Sequence, residues 1–139
     1  MNTGILEKAN DLMAQCNTVT LASVNENGYP RICVMEKIKS DGIKKIYTAT
    51  GMIGTKTRHF QANPKASVCA WSGSNSITLI GNVVVTQERA VLEAMWVDWF
   101  INHFPGGIDD PNYCILEFSS EEATLWINGE FVVIGASEL

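Results

Sequence analysis

Residues 18–50 read TVTLASVNENGYPRICVMEKIKSDGIKKIYTAT, and this stretch decides the fold class. TVTLASV (18–24) is a β-branched run that stops at NENG (25–28), a hairpin signal. YPRICVMEKI (29–38) is a second strand, closed by the turn residues SDG (40–42). KKIYTAT (44–50) is a third. Strands joined by connections this tight pair antiparallel, because a parallel crossover needs a dozen or more residues.

Outward from this core, the spacing predicts a helix over residues 4–15, where Ile5, Leu6, Ala9, Leu12 and Met13 form a stripe of period 3.6, with Thr3 as its N-cap. On the other side the loop GMIG (51–54) leads into a short helix from Lys56, capped by Thr55 and stopped by Asn63-Pro64. KASVCAW (65–71) and SITLIGNVVVT (76–86) are strands around the turn SGSN. Residues 87–103 return to helical spacing, and FPGGIDDPN (104–112) is a loop. YCILEFS (113–119) and EATLWI (122–127) read as two strands joined by a tight SSEE connection, with FVVIG (131–135) as a last short strand. Six or more strands in 139 residues favour a mainly β, closed or nearly closed small barrel with peripheral helices, in a single domain over 1–139.

Composition narrows the function classes. A net charge of −5 argues against a nucleic-acid or anionic-membrane surface as the partner. The longest apolar runs, Val83–Val85 and Phe131–Ile134, fall far short of the ~18–20 residues of a membrane span. Charges in MNTGILEKANDL are at odds with a secretion signal, so a cytoplasmic protein is expected. Cys16, Cys33, Cys69 and Cys114 form no CxxC or CxxH pair, and the last three sit in apolar runs, as buried reduced thiols do. With His59 and His103 far apart and no clustered partner, no metal site is expected.

Chemistry concentrates in IYTATGMIGTKTR (46–58). Thr48, Thr50, Thr55 and Thr57 surround Lys56 and Arg58, while Gly51 and Gly54 leave the backbone open to a ligand. Hydroxyls, N–H groups at a helix start and adjacent cations are what a phosphate monoester requires. The same pattern also suits a polar loop before an ordinary capped helix, since no P-loop or GxGxxG is present. Arg31, on an otherwise apolar strand, calls for an anion unless it points outward.

The ordered set GYPRICVM, DGIKKIYTAT, TK before HFQANPKASVCAW and a glycine-bearing strand resembles the pyridoxamine 5′-phosphate oxidase-like family of FMN-binding split barrels. The tail FPGGIDDPNYCILEFSSEEATLW is similar to the general stress protein branch, and the resemblance runs from about residue 5 to 128. It implies a six-stranded antiparallel Greek-key split barrel with flanking helices, a homodimer, and FMN at the dimer interface. It places Arg31, Ile32, Cys33 and Val34 beside the flavin, with Arg31 reaching the phosphate. Thr48 and Thr50 close the third strand, and Thr55 and Lys56 hold the phosphate. Ser76 of the second subunit and Trp126 lie near the ring. The implied activity is flavin-dependent oxidoreduction of an unidentified small molecule, with NAD(P)H a candidate electron donor. The alternatives are a non-catalytic flavin-binding or stress-response module, or the same barrel holding FAD, a deazaflavin or, least expected, haem. Two departures from the family pattern stand out, and the first counts against vitamin B6 phosphate as substrate. NGEFVVIGASEL lacks the arginine and histidine that grip it in the oxidases proper, and Glu36 stands where those have a lysine.

Overall fold

The computed structural model describes residues 2–139, and its core is one curled antiparallel sheet. The strands are β1 (Thr18–Val24), β2 (Pro30–Glu36), β3 (Lys39–Asp41), β4 (Lys45–Gly51), β5 (Lys65–Ser72), β6 (Asn75–Thr86), β7 (Tyr113–Ile127) and β8 (Glu130–Gly135). Their order, β2-β1-β5-β6-β7-β4-β3 with β8 also on β7, is mainly β and fits the Greek-key split barrel, with eight strands in place of the expected six. β8 is the short strand read from FVVIG (131–135), and β3, only three residues long, is the one strand that does not stand out in sequence.

Alternation along each strand sorts the sheet into two faces. Val19, Leu21, Val68, Ile77, Leu79, Ala123, Leu125 and Ile134 point inward and are almost wholly buried. α1 (Thr3–Gln15) adds Ile5, Ala9 and Met13, one face at four-residue spacing. Its first helical residue is Thr3, so the cap is Asn2, which makes no side-chain cap bond. At its other end the Lys37 ammonium donates to the Met13 and Ala14 carbonyls, and burial lowers the Lys37 pKa. α2 (Thr55–Ala62) buries Thr57, His59 and Phe60. Among the described residues no helix is long and apolar enough to cross a membrane.

Three sequence expectations give way. SSEE is not a turn: β7 runs unbroken, with a register shift opposite Ile80 and Gly81. The bend is fixed by Ser120, whose N–H donates to the Lys44 carbonyl (2.9 Å) and whose hydroxyl donates to the Ile43 carbonyl (2.6 Å). Gly81 permits it, because a Cβ there would lie 1.9 Å from the Ser119 carbonyl oxygen. The bent strand can then pair with β4 along its first half and β8 along its second. The helix expected over 87–103 stops early as α3 (Arg89–Met95). Trp96 and Val97 are extended, and a 3-10 segment follows at Asp98–Asn102. This break lets Trp96 and Phe100 enter one aromatic cluster with Tyr113, at centroid distances of 5.4 Å between Trp96 and Phe100 and 5.3 Å between Trp96 and Tyr113. The cysteines are all free, yet only Cys114 is fully buried. Cys69, on the outer face of β5, and Cys33, on the inward side of the edge strand β2, are half-buried.

Candidate functional site

The ladder never closes between β2 and β4. Their edges converge where the Ile38 N–H donates to the Tyr47 carbonyl (2.9 Å) and then diverge toward α2, leaving a groove of about 420 Å³. Val34, Met35 and Glu36 form one wall, and Ala49, Thr50 and Gly51 the other. Lys56 stands at the start of α2, and Trp99, Phe100, His103 and Phe104 complete the enclosure.

The loop between β4 and α2 is pinned by Asn112, which also lines the groove. Met52 N–H donates to the Asn112 backbone carbonyl (2.8 Å) and Ile53 N–H to its side-chain oxygen (3.1 Å). Thr57 donates its hydroxyl to the Gly51 carbonyl (2.6 Å). Thr55 does not cap the helix as expected. Gly54 holds that position and has no side chain to offer, so no side-chain cap bond forms. The N–H groups of Thr55, Lys56 and Thr57 therefore have no partner inside the helix. α2 is locked across the sheet by His59, whose Nδ1 shares a hydrogen bond with Ser23 Oγ (2.8 Å). Ser23 is also the ladder partner of Arg31, so α2, β1 and β2 are tied at one point.

Of the ten residues singled out from sequence, the groove gathers Val34, Thr50 and Lys56. Thr48 lies on the same face of β4 as Thr50 and is 3% exposed, and its hydroxyl has no hydrogen-bond partner. Arg31 and Cys33 share the inward side of β2, and Arg31 is exposed at its edge; Ile32 points to the outer face with Val34. Among the described residues neither Arg31 nor Lys56 forms an ion pair. Cys114, opposite Thr50 in the ladder, donates to the Thr50 carbonyl (3.3 Å). Burial pushes its thiol up to about 11, against the opposing pull of the Thr57 hydroxyl and the Lys56 charge.

Ser76 and Trp126 are not in the groove. They face each other across the β6–β7 ladder at the far end of the outer face. There Phe131, Trp126, Ser76 and Trp71 form one cross-strand row, and Val133, Thr124, Thr78, Cys69, Thr20 and Val34 the next, which ends at the groove. The sequence reading missed the groove's aromatic wall and Asn112. The available signal was the uncharged repeat Trp99, Phe100, His103, Phe104, whose spacing places the four on adjoining sides of a helical turn.

Similar proteins share this architecture. A structure of a protein related to general stress protein 26 of the pyridoxinephosphate oxidase family, from Clostridium acetobutylicum, is 27% identical. It covers 99% of both chains with a TM-score of 0.85. General stress protein 26 from Bacillus anthracis is 19% identical, covering 96% of this chain and 100% of its own, with a TM-score of 0.78. A heme binding protein from Mycobacterium smegmatis is 18% identical, covering 95% of this chain and 58% of its own, with a TM-score of 0.72. The last two establish likeness of fold. No curated protein matches the chain. The family model described as pyridoxamine 5′-phosphate oxidase matches residues 5–127, and that fold commonly binds flavin in proteins that are typically dimeric. Nearly its whole length lies within that match, and the chain belongs to the pyridoxamine 5′-phosphate oxidase family.

Proposed function

We propose that this protein is an FMN-binding flavoprotein, holding the cofactor non-covalently at the interface of a homodimer and using it to oxidise or reduce a small molecule. The observation that carries the reading is the set of unsatisfied groups at the β4–α2 junction. Lys56 has no counter-ion, the Thr48 hydroxyl has no partner, and the first-turn amides of α2 stand open. A buried polar group left unpaired costs about 1–3 kcal/mol, so the Thr48 hydroxyl, with an unpaired cation and open amides nearby in the same junction, favours a bound anion. The donor chemistry fits a phosphate monoester.

In this reading Lys56, Thr50 and Thr55, with the α2 amides, hold the phosphate, and Arg31 reaches it from β2. Thr48 fills the hydrogen-bond shell from beneath. Ile32 to Val34 offer an exposed apolar edge to the ring. Ser76 and Trp126 come from the second subunit, which covers the outer face and brings its own row to the groove. FMN, when bound, supplies the hydride or electron transfer chemistry, and the chain binds and orients it and excludes water. The whole chain acts as one domain, and its four free thiols suit the reducing cytoplasm.

The test is titration of FMN into the purified protein, read at the flavin bands near ~450 nm. Lys56→Ala should weaken binding by about 10- to 100-fold, as expected for loss of a charged hydrogen bond of about 1.5–3 kcal/mol. Unchanged affinity would sink the phosphate assignment. One observation favours a second reading. His103 lines the groove, and imidazole is a haem ligand, so a Soret band in place of flavin bands after reconstitution would select haem.

A further inference from the structure

The groove is polarised along its length. Its sealed end lies at the Ile38–Tyr47 hydrogen bond, two residues beyond Glu36, and its open end lies at Lys56. Among the described residues Glu36 makes neither an ion pair nor a hydrogen bond, although Lys45 and Arg89 elsewhere each hold a carboxylate. The same groove has an aromatic wall. Trp99 is 45% exposed, set edge-on to Phe100 at 4.8 Å and to His103 at 5.7 Å between ring centroids.

An unpartnered carboxylate and a half-uncovered indole lining one groove favour one class of ligand. Cations are drawn to aromatic faces by the ring quadrupole, and Trp is the strongest such partner. An anionic ring at this end would face Glu36 with no donor to offset the repulsion.

We propose that the sealed end of the groove is the substrate subsite and takes a flat heteroaromatic cation, such as an N-alkylated pyridinium or quinolinium. The role of substrate rests on the flavin reading. The binding chemistry rests on Glu36 and Trp99 alone. The two ends of the groove then divide the work by charge, with Lys56 selecting the phosphate and Glu36 the cation.

The experiment is calorimetric titration of the FMN-loaded protein with N-methylquinolinium, neutral 1-naphthylmethanol and anionic 1-naphthoate, three probes of similar size. The cation should bind at least about tenfold tighter than either of the others. Glu36→Gln should erase that preference while leaving the neutral probe's affinity in place, and Trp99→Leu should weaken cation and neutral probe together. FMN loading is read by absorbance in every variant, so a folding or cofactor defect is seen separately. Equal affinity for the three probes, or a preference that survives Glu36→Gln, overturns the proposal even where FMN is fully bound. If the protein takes up no FMN, the same titration on the flavin-free chain still decides it. A Glu36-dependent cation preference then sustains the subsite while the flavin reading falls.

Discussion

The outer face of the sheet has two regions built from the same kinds of residue and treated in opposite ways. Over β4 and the first half of β7, Tyr113 and Ile115 lie fully buried beneath α3 and the 3-10 segment, packed with Leu92, Met95, Phe100 and Phe104. Across β8, β7, β6, β5, β1 and β2, side chains at least as apolar stay open. Trp126 is 44% exposed and Val34 69%, with Trp71, Ile32 and Phe131 between or at those limits. Among the described residues the chain supplies a cover for one region and none for the other, and large apolar side chains left open among threonines and Ser76 mark an interaction site. The covered region works for stability, and the open one is free to work for association and ligand binding.

The largest expected effect contrasts neighbours on opposite faces. Leu125→Ala, at a fully buried inner position, should cost about 3 kcal/mol in urea unfolding. Trp126→Glu, one residue on but facing outward, should change monomer stability by less than about 1 kcal/mol. It should instead shift the sedimentation equilibrium from dimer toward monomer. Equal destabilisation by the two substitutions would erase the distinction between the faces.

The first half of β7, buried on both faces, should also announce itself through pH. Burial pushes Cys114 up from the thiol's ordinary value near 9 to about 11, and Tyr113 from 10 to about 12. The folded chain therefore keeps each proton after the unfolded chain has lost it. Stability from both groups is intact below about pH 9, falls through pH 9–11 for Cys114 and continues falling through pH 10–12 for Tyr113, by roughly 2 kcal/mol each. Tyr113 also loses the hydrogen bond it donates to the Leu92 carbonyl (2.9 Å). Urea midpoints taken from pH 8 upward should show the decline, and Cys114→Ala should flatten its first part. A midpoint that rises over that range contradicts the burial of both groups.

The smallest effect belongs to β4, at the buried Thr48. Thr48→Val removes a hydroxyl with no partner and should stabilise the ligand-free protein by about 1 kcal/mol while weakening FMN binding. Loss of stability in the ligand-free state would mean that the hydroxyl is already satisfied.

Local signals were legible where one turn and one alternation decide the outcome. NENG is a hairpin turn because Asn25 Oδ1 accepts from the Asn27 and Tyr29 N–H groups, each at 2.9 Å, and that bond needs only residues in the turn. Asn128-Gly129, with φ of 52° and 79°, likewise turns the chain from β7 into β8. SSEE misled because polar residues serve a strand bend as well as a turn, and the choice lay with Gly81 and Lys44, far away in the chain. The break after Met95 was hidden for a similar reason: helical spacing continues through Trp96, but the aromatic cluster around Tyr113 draws Trp96 and Phe100 together.

The candidate site divides along the same line. Lys56, Thr48 and Thr50 stand within one strand-to-helix junction, so their hydroxyl and cation chemistry could be read from 46–58 alone. The polarity of the groove could not. Glu36, Lys56 and Trp99 come from segments that meet only because β2 and β4 fail to pair, leaving a gap that the 3-10 segment walls in. By itself the sequence determined the strands, the antiparallel pairing and the phosphate-like junction, since each depends on residues a few positions apart. Only the tertiary structure decided which apolar face is sealed, where the bend in β7 falls and which charges share a groove. Those outcomes depend on burial and contact between distant segments, for which no local pattern stands in.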